Sequence, residues 1–404
     1  MRINQGYDLT YCTNIHAGES WEAILKNLQQ FTPAIKANIS PDQPFGIGLR
    51  LSSQASIELL ENNNLATFKS WLDDNYLYVS IINGFPYGGF HGQVVKDAVH
   101  QPDWTTRERT EYTKRLAHIL AKLLPKGMDG GISTSPLSYK PWFHNNRENI
   151  KLAFRSATLH LAEVVEELIS IKIHTGKLIH IDIEPEPDGL LENTAEVIEY
   201  FQHWLLPTGR RYLSDRLGIE LIEADEAIKN HVQLCYDVCH FALAYEAPQW
   251  VFDRLEEEGI RIGRIQISAA LKLLLPENTE ERKVLAEQLT PFVESTYLHQ
   301  VTEKGANNQL THYPDLPEAL QNLGKPGAQE WRTHFHVPVF LKEYGLLHST
   351  QDDIVEVLKI ARKHNVTHHL EVETYTWEVL PPDLKLELTA SIERELIWVM
   401  ERLK

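Results

Sequence analysis

Carboxylates and histidines recur in this sequence at spacings that set them side by side. In KLIHIDIEP (177–185) an extended chain puts Ile179, Ile181 and Ile183 on one face and His180, Asp182 and Glu184 on the other. Gln233, Cys235 and Asp237 share a face in VQLCYDV, as do His369, Glu371 and Glu373 in HHLEVET. If the aliphatic faces pack outward, then Asp182, Glu184, Asp237, Glu371 and Glu373 converge on one interior. Gathering ionised carboxylates in a partly desolvated space is strongly unfavourable unless a cation joins them. A divalent metal is the simplest cation; Arg50 and protonated His180 are the alternatives. The plainest rival reading is a filled interior in which these acids pair with Arg or His.

Histidines add a second ligand type. Asp237-Val-Cys-His240 ends a strand with an acid and places a histidine three residues later, in the segment that follows. His334 and His336 alternate in RTHFHVPVF and so face the same way, as a ligand pair or a substrate clamp. His299 in YLHQ, His16 and Asn14 at the end of the first strand, Arg50 at the end of the second and Asn83 at the end of the third are site candidates by location. His91, after the loop GFPYGGF, is another. Cys235 and Cys239 lack zinc-finger spacing and read as buried small hydrophobes.

The elements that must position these residues alternate along the chain. Eight β-like runs, at 9–14, 45–51, 77–84, 130–136, 177–185, 231–238, 261–268 and 368–374, are bounded by Gly, Pro, Asn or Asp. Amphipathic helical segments lie between them. One is 105–125, with Thr105 and Glu108 spaced as a capping box and Pro125 as its stop; others are 147–174 and 349–365. Eight strand–helix units predict an α/β fold, a (β/α)8 TIM barrel, in a single domain over 1–404. A barrel needs about 250 residues, which leaves room for a long insertion between strands 7 and 8, expected at about 271–333. No Gly-x-Gly-x-x-Gly follows the first strand, which weighs against a doubly wound nucleotide-binding sheet. Glu184, Asp237 and Glu373 fall at the carboxyl ends of their strands, the rim where barrel active sites sit; Asp182 and Glu371 fall one layer deeper.

Composition narrows the function. With 39 Lys and Arg against 56 Asp and Glu, the net charge is −17 at pH 7, which repels phosphate backbones and anionic membranes. No nucleic-acid partner and no membrane insertion are therefore expected. Three cysteines cannot build a disulfide framework, and no signal segment or apolar span is evident, so a cytoplasmic protein is expected. Phosphate-loop, Gly-x-Ser-x-Gly and His-Glu-x-x-His motifs are all absent.

These stations resemble the xylose isomerase-like superfamily of divalent-metal TIM barrels, which includes sugar isomerases, ketose 3-epimerases, inosose dehydratases and endonuclease IV. The family pattern is Glu ending the fifth strand, Asp-x-x-His ending the sixth, His ending the seventh and an acid ending the eighth. Glu184 in IDIEPEP, Asp237 and His240 in YDVCH, and Glu373 in LEVETYTW match three stations. The seventh departs: RIGRIQIS presents Gln266, whose amide oxygen would favour Mn²⁺ or Mg²⁺, unless His334 or His336 completes the shell and keeps Zn²⁺ open. The wording LTYCTNIHAGESW, HFHVPVF and LEVETYTWEVLP is similar to the EboE-type metabolite-traffic proteins, linked to movement of secondary-metabolite precursors.

The resemblance implies a metal-dependent isomerase or epimerase acting on a small polyol, sugar or cyclitol by proton transfer next to a metal-chelated carbonyl. It assigns that transfer to Glu184 and Glu373, with Asp237 a metal ligand and His240 a ligand or substrate contact. Two other readings stand beside it: a non-catalytic metal- and metabolite-binding protein, and an endonuclease IV-like phosphodiesterase, disfavoured by the acidic charge. The oligomeric state is left open.

Overall fold

A computed structural model describes residues 1–3, 6–89, 94–293, 296–374 and 385–404. Seven strands come first: β1 (Asp8–Tyr11), β2 (Phe45–Arg50), β3 (Leu77–Asn83), β4 (Gly130–Thr134), β5 (Ile179–Ile183), β6 (Val232–Asp237) and β7 (Ile262–Ile267). A run of excursion strands follows, β8 (Ala269–Leu274), β9 (Val301–Gly305), β10 (Leu310–Tyr313), β11 (Ala328–Val337), β12 (Glu343–Tyr344) and β13 (Leu347–Ser349), before β14 (His369–Val372). β14 lies between β1 and β7, and β7 through β2 then succeed one another in parallel. A parallel bridge between Cys12 and Gly48 brings the β1 edge to β2, so eight parallel strands form the expected α/β barrel.

Each strand follows from its sequence. The aliphatic faces, such as Ile179, Ile181 and Ile183, are wholly buried under the surrounding helices. The helix Arg107–Leu123 shows why these helices dock: Tyr112, Leu116, Ile119, Leu120 and Leu123 are buried on one stripe. It starts at Arg107 rather than at a Thr105 cap, because the Thr105 hydroxyl is drawn to Asp103 Oδ1 at 2.5 Å. The helix Arg147–Thr175 ends where Gly176 takes a left-handed conformation (φ 71°).

The interior holds charge. Arg264, on β7, donates through Nε to Asp182 Oδ2 and through Nη1 to Glu371 Oε2, both at 3.0 Å, and through Nη2 to the Ile82 carbonyl at 3.1 Å. All three side chains are fully buried. Room for them comes from missing side chains. A Cβ on Gly48 would lie 1.7 Å from Glu371 Oε1, and one on Gly131 would lie 2.3 Å from Asp182 Oδ2.

The insertion is larger than 271–333. β8 to β13 form one six-stranded sheet, β10-β9-β11-β8-β13-β12, that begins at Ala269 and ends at Ser349. It packs across the carboxyl rim, where Gln300 Nε2 donates to the Pro187 carbonyl (3.3 Å) and His312 pairs with Asp188 (3.0 Å). Among the described residues, no helix is long and apolar enough to cross a membrane.

Replacing Arg264 with Met strands two buried carboxylates, so urea denaturation should show a loss of about 3–5 kcal/mol. Adding Asp182→Asn and Glu371→Gln to that variant should restore part of it; an unchanged midpoint for Arg264→Met alone would remove the ion-pair role.

Candidate metal centre at the carboxyl rim

Above the Arg264 layer, three more acids meet. Glu184 follows β5, Asp237 ends β6 and Glu373 follows β14, and one oxygen of each lies within 4.8 Å of the others. All three are buried. Their contacts are neutral donors. Asn14 Nδ2 donates to Glu373 Oε1 at 2.6 Å, Asn83 Nδ2 reaches the same oxygen at 3.4 Å, and the Gln266 amide donates to Glu373 Oε2. Asp237 Oδ1 accepts from the Ser268 hydroxyl (2.7 Å) and the His240 amide (3.2 Å). Glu184 Oε2 and Asp237 Oδ2 have no hydrogen-bond partner. Among the described residues, no Lys or Arg makes an ion pair with these three acids.

Crowding sets the protonation. Burial, then repulsion from Glu373 and Asp237, holds the Glu184 carboxyl well above its usual range. Burial and Asp237 push Glu373 up to about 8. Glu186, two residues after Glu184, is raised likewise by burial. Three buried acids packed this closely, two of them presenting unpartnered oxygens, fit a divalent cation by charge and ligand type.

The insertion supplies imidazoles. A register shift in the β11–β8 pairing between Thr333 and Val337 re-aims the His-x-His segment into the mouth. His336 Nε2 lies 4.0 Å from Asp237 Oδ2, and its Nδ1 lies 3.6 Å from Glu373 Oε2. Asp237, His240 and His336 form a second group with ligand atoms within 4.8 Å. His240 Nδ1 faces the Pro185 carbonyl at 2.9 Å, and His334 Nδ1 faces Gln300 Oε1 at 2.9 Å. Both Nδ1 atoms must therefore donate, which turns two Nε2 lone pairs on each other at 3.0 Å. Burial keeps both rings neutral. Such a facing pair is repulsive until a proton or cation lies between its nitrogens, and Glu186 completes that group.

The structure thus brings together Glu184, Asp237, Glu373, His240, His334, His336, Gln266 and Asn83. Gln266 is turned to hold Glu373, while its oxygen accepts from Cys235 Sγ at 3.4 Å. His299 lines the cavity over the acids, stacked on Phe335 at 4.1 Å. His16 and Arg50 do not line it. His16 stacks on Phe31 at 4.6 Å beside the Tyr11 hydroxyl, and Arg50 pins the loops at Gly18, Glu19 and Gly88. The nearby helix Trp21–Ile39 and strand β1 hold His16, and loop carbonyls with Glu19 hold Arg50. His91 lies outside the described residues. All three cysteines are free and buried, with their thiols pushed up by burial.

Sequence reasoning missed Arg264, Glu186, His100 and Lys96. Arg264 precedes Gln266 by two residues on the same strand face, and Glu186 repeats the Glu-Pro step of Glu184. His100 Nε2 approaches Glu186 at 3.3 Å. Lys96 reaches from the barrel to Asp315 of the insertion at 2.7 Å, closing one side of the cavity. No periodicity marks those last two.

No family model and no curated protein matches the sequence. Among solved structures, the chain is similar to a xylose isomerase-like TIM barrel protein from Mycobacterium smegmatis in complex with magnesium (TM-score 0.52, 9% identity, 100% of this chain and 98% of that one). It also matches the IOLI protein with a bound zinc atom (TM-score 0.48, 11% identity, 98% and 99%). A D-psicose 3-epimerase in the presence of D-fructose matches to the same degree (TM-score 0.48, 11% identity, 98% and 99%). The fold of this chain is that of the xylose isomerase-like TIM barrels.

Without a metal, the folded protein holds protons on the rim acids that the unfolded chain releases in the ordinary carboxylate range. Metal-free stability should therefore fall as pH rises from about 4.5 towards 8. Metal binding should displace those protons, so Mn²⁺ or Zn²⁺ affinity should strengthen over the same window. Calorimetric titrations in buffers of different ionisation enthalpy should register the proton release; a pH-independent affinity would contradict the protonated rim.

Proposed function

We propose that this protein is a divalent-metal-dependent isomerase or epimerase of a small sugar- or cyclitol-like molecule. The observation that carries the reading is the trio Glu184, Asp237 and Glu373: buried, mutually close and, among the described residues, in no ion pair with Lys or Arg. The proposed ligands are Glu184, Asp237 and Glu373, with His336 as the imidazole. His240 and His334 stand as a further nitrogen pair beside them. Gln266 is assigned to orienting Glu373. The donor set is mixed oxygen and nitrogen, which suits Mn²⁺, Mg²⁺ or Zn²⁺. A bound ion supplies polarisation of a carbonyl and its neighbouring hydroxyl, acidifying the adjacent C–H.

The chain's own groups would move the proton. Glu373 is held by Asn14, Asn83 and Gln266, so once its own proton is displaced it is oriented to accept one from carbon. Glu184, across the cluster, would return a proton from the other side. His299 and Asn83 line the space where a small polar substrate would sit. The insertion covers that space and would limit water around the reacting carbon. On the resemblance of its terminal segments to the EboE-type proteins, we assign the reaction to processing or traffic of secondary-metabolite precursors.

A second reading, binding without turnover, is favoured by one feature: glutamine stands at the seventh-strand position and is tied to Glu373. Solvent deuterium exchange separates the two. Incubated with metal and a panel of ketoses, inososes and keto-sugars in D₂O, the wild type should incorporate deuterium at one carbon. Glu373→Gln should remain folded and lose about 10²–10⁴-fold of that exchange. Equal exchange by the variant would remove Glu373 from the chemistry, and exchange by neither would favour the binding reading.

A further inference from the structure

A second set of metal-type ligands lies at the opposite, amino-terminal end of the barrel, away from the rim. Asp129 immediately precedes β4, His180 is on β5 and His369 is on β14. One ligand atom of each lies within 4.8 Å of the others. His369 Nε2 is 3.4 Å from Asp129 Oδ1 and His180 Nε2 is 3.9 Å from Asp129 Oδ2. Ligand atoms around a tetrahedral zinc stand about 3.4 Å apart, given bonds of about 2.0–2.1 Å. His180 Nε2 has no hydrogen-bond partner, His369 Nε2 has Asp129 beside it at 3.4 Å, and both histidines are buried to within 2%.

The surroundings orient both rings towards that point. His180 Nδ1 is bonded to Asp182 Oδ1 at 2.5 Å, which fixes the proton on Nδ1 and leaves the Nε2 lone pair facing Asp129. His369 Nδ1 faces Asp8 Oδ2 at 3.9 Å, a looser version of the same arrangement. Carboxylate behind imidazole is the usual backing of a histidine ligand. Glycines make the space: a Cβ on Gly131 would lie 2.7 Å from His180 Cε1, and one on Gly263 would lie 2.8 Å from His180 Nδ1. Asp129 is 38% exposed and opens onto a groove lined by Gln233, Gly263 and Thr367, so an ion has a way in.

We propose that Asp129, His180 and His369 bind a divalent transition-metal ion, Zn²⁺ by ligand type, at the amino-terminal mouth of the barrel, with water in the remaining position. Two imidazoles and one carboxylate are an open zinc-type set. The ion would tie β4, β5 and β14 together and is independent of the rim centre. The competing occupant is a proton on His369: burial disfavours that cation, and Asp129 and Asp8 outweigh the burial.

The test uses the full chain and the metal alone. With Zn²⁺ in excess over a weak chelator, the wild type should hold one more equivalent than Asp129→Ala, a change in a partly exposed loop residue that leaves both imidazoles in place. In the rim variant Asp237→Ala, Co²⁺ should still bind one equivalent with the visible absorption of a tetrahedral site. Adding Asp129→Ala should weaken that binding at least about 100-fold. Equal metal content in wild type and Asp129→Ala, or a folded rim variant that binds no Co²⁺, would overturn the assignment. A folded Asp237→Ala variant that loses one equivalent and keeps the other supports a site separate from the rim.

Discussion

Negative charge inside the barrel is the constraint on which the rest of this structure depends. Along β5 and β14 the inward-facing positions are acids at successive levels, joined by Asp237 at the end of β6, and each level meets the cost of burying them differently. At the amino-terminal end, His180 and His369 stand among Asp8, Asp129 and Asp182. In the middle, Arg264 joins Asp182 to Glu371 with good geometry on both sides. At the carboxyl rim, among the described residues, no Lys or Arg pairs with Glu184, Asp237 or Glu373, which are left with amides, a hydroxyl and neutral imidazoles. A buried pair is tolerable when both members are present; a buried trio of acids is not, unless it keeps its protons or gains an ion.

The insertion makes sense against that gradient. A bare barrel rim would expose the three acids to water and let solvent relieve their repulsion. The second sheet instead covers them and delivers His334 and His336 from β11, with the shifted register aiming both into the mouth. It is anchored to the barrel by polar contacts, Lys96 to Asp315 and His312 to Asp188, rather than by a deep apolar seam alone. Covering the acids raises their proton affinity and narrows what can approach them to something small.

Much of this was legible in the sequence, for physical reasons. Strands with one aliphatic and one acidic face announce a barrel whose outside is greasy and whose inside is charged, and all eight fall where the alternation puts them. Glu184, Asp237 and Glu373 were legible because a strand-terminal acid followed by Pro, by Val-Cys-His or by Thr has little structural use in the core. Arg264 should have been legible, since it shares a face with Gln266. What stayed hidden depends on contacts between distant segments. The insertion's true extent rests on antiparallel pairing across some eighty residues, from β8 to β13. Asp129 sits in a loop with no periodicity, and the local capture of His16 by Phe31 and of Arg50 by loop carbonyls is invisible in residue types alone.

The most direct test of the central claim is a crystal grown with Mn²⁺ and measured at the manganese absorption edge. The account predicts an anomalous peak bonded to Glu184, Asp237 and Glu373, with His336 within coordination distance and Gln266 still turned to Glu373. A rim without such a peak at saturating Mn²⁺, with the three acids arranged as they are here, would mean that protons alone hold them together and would contradict the metal centre.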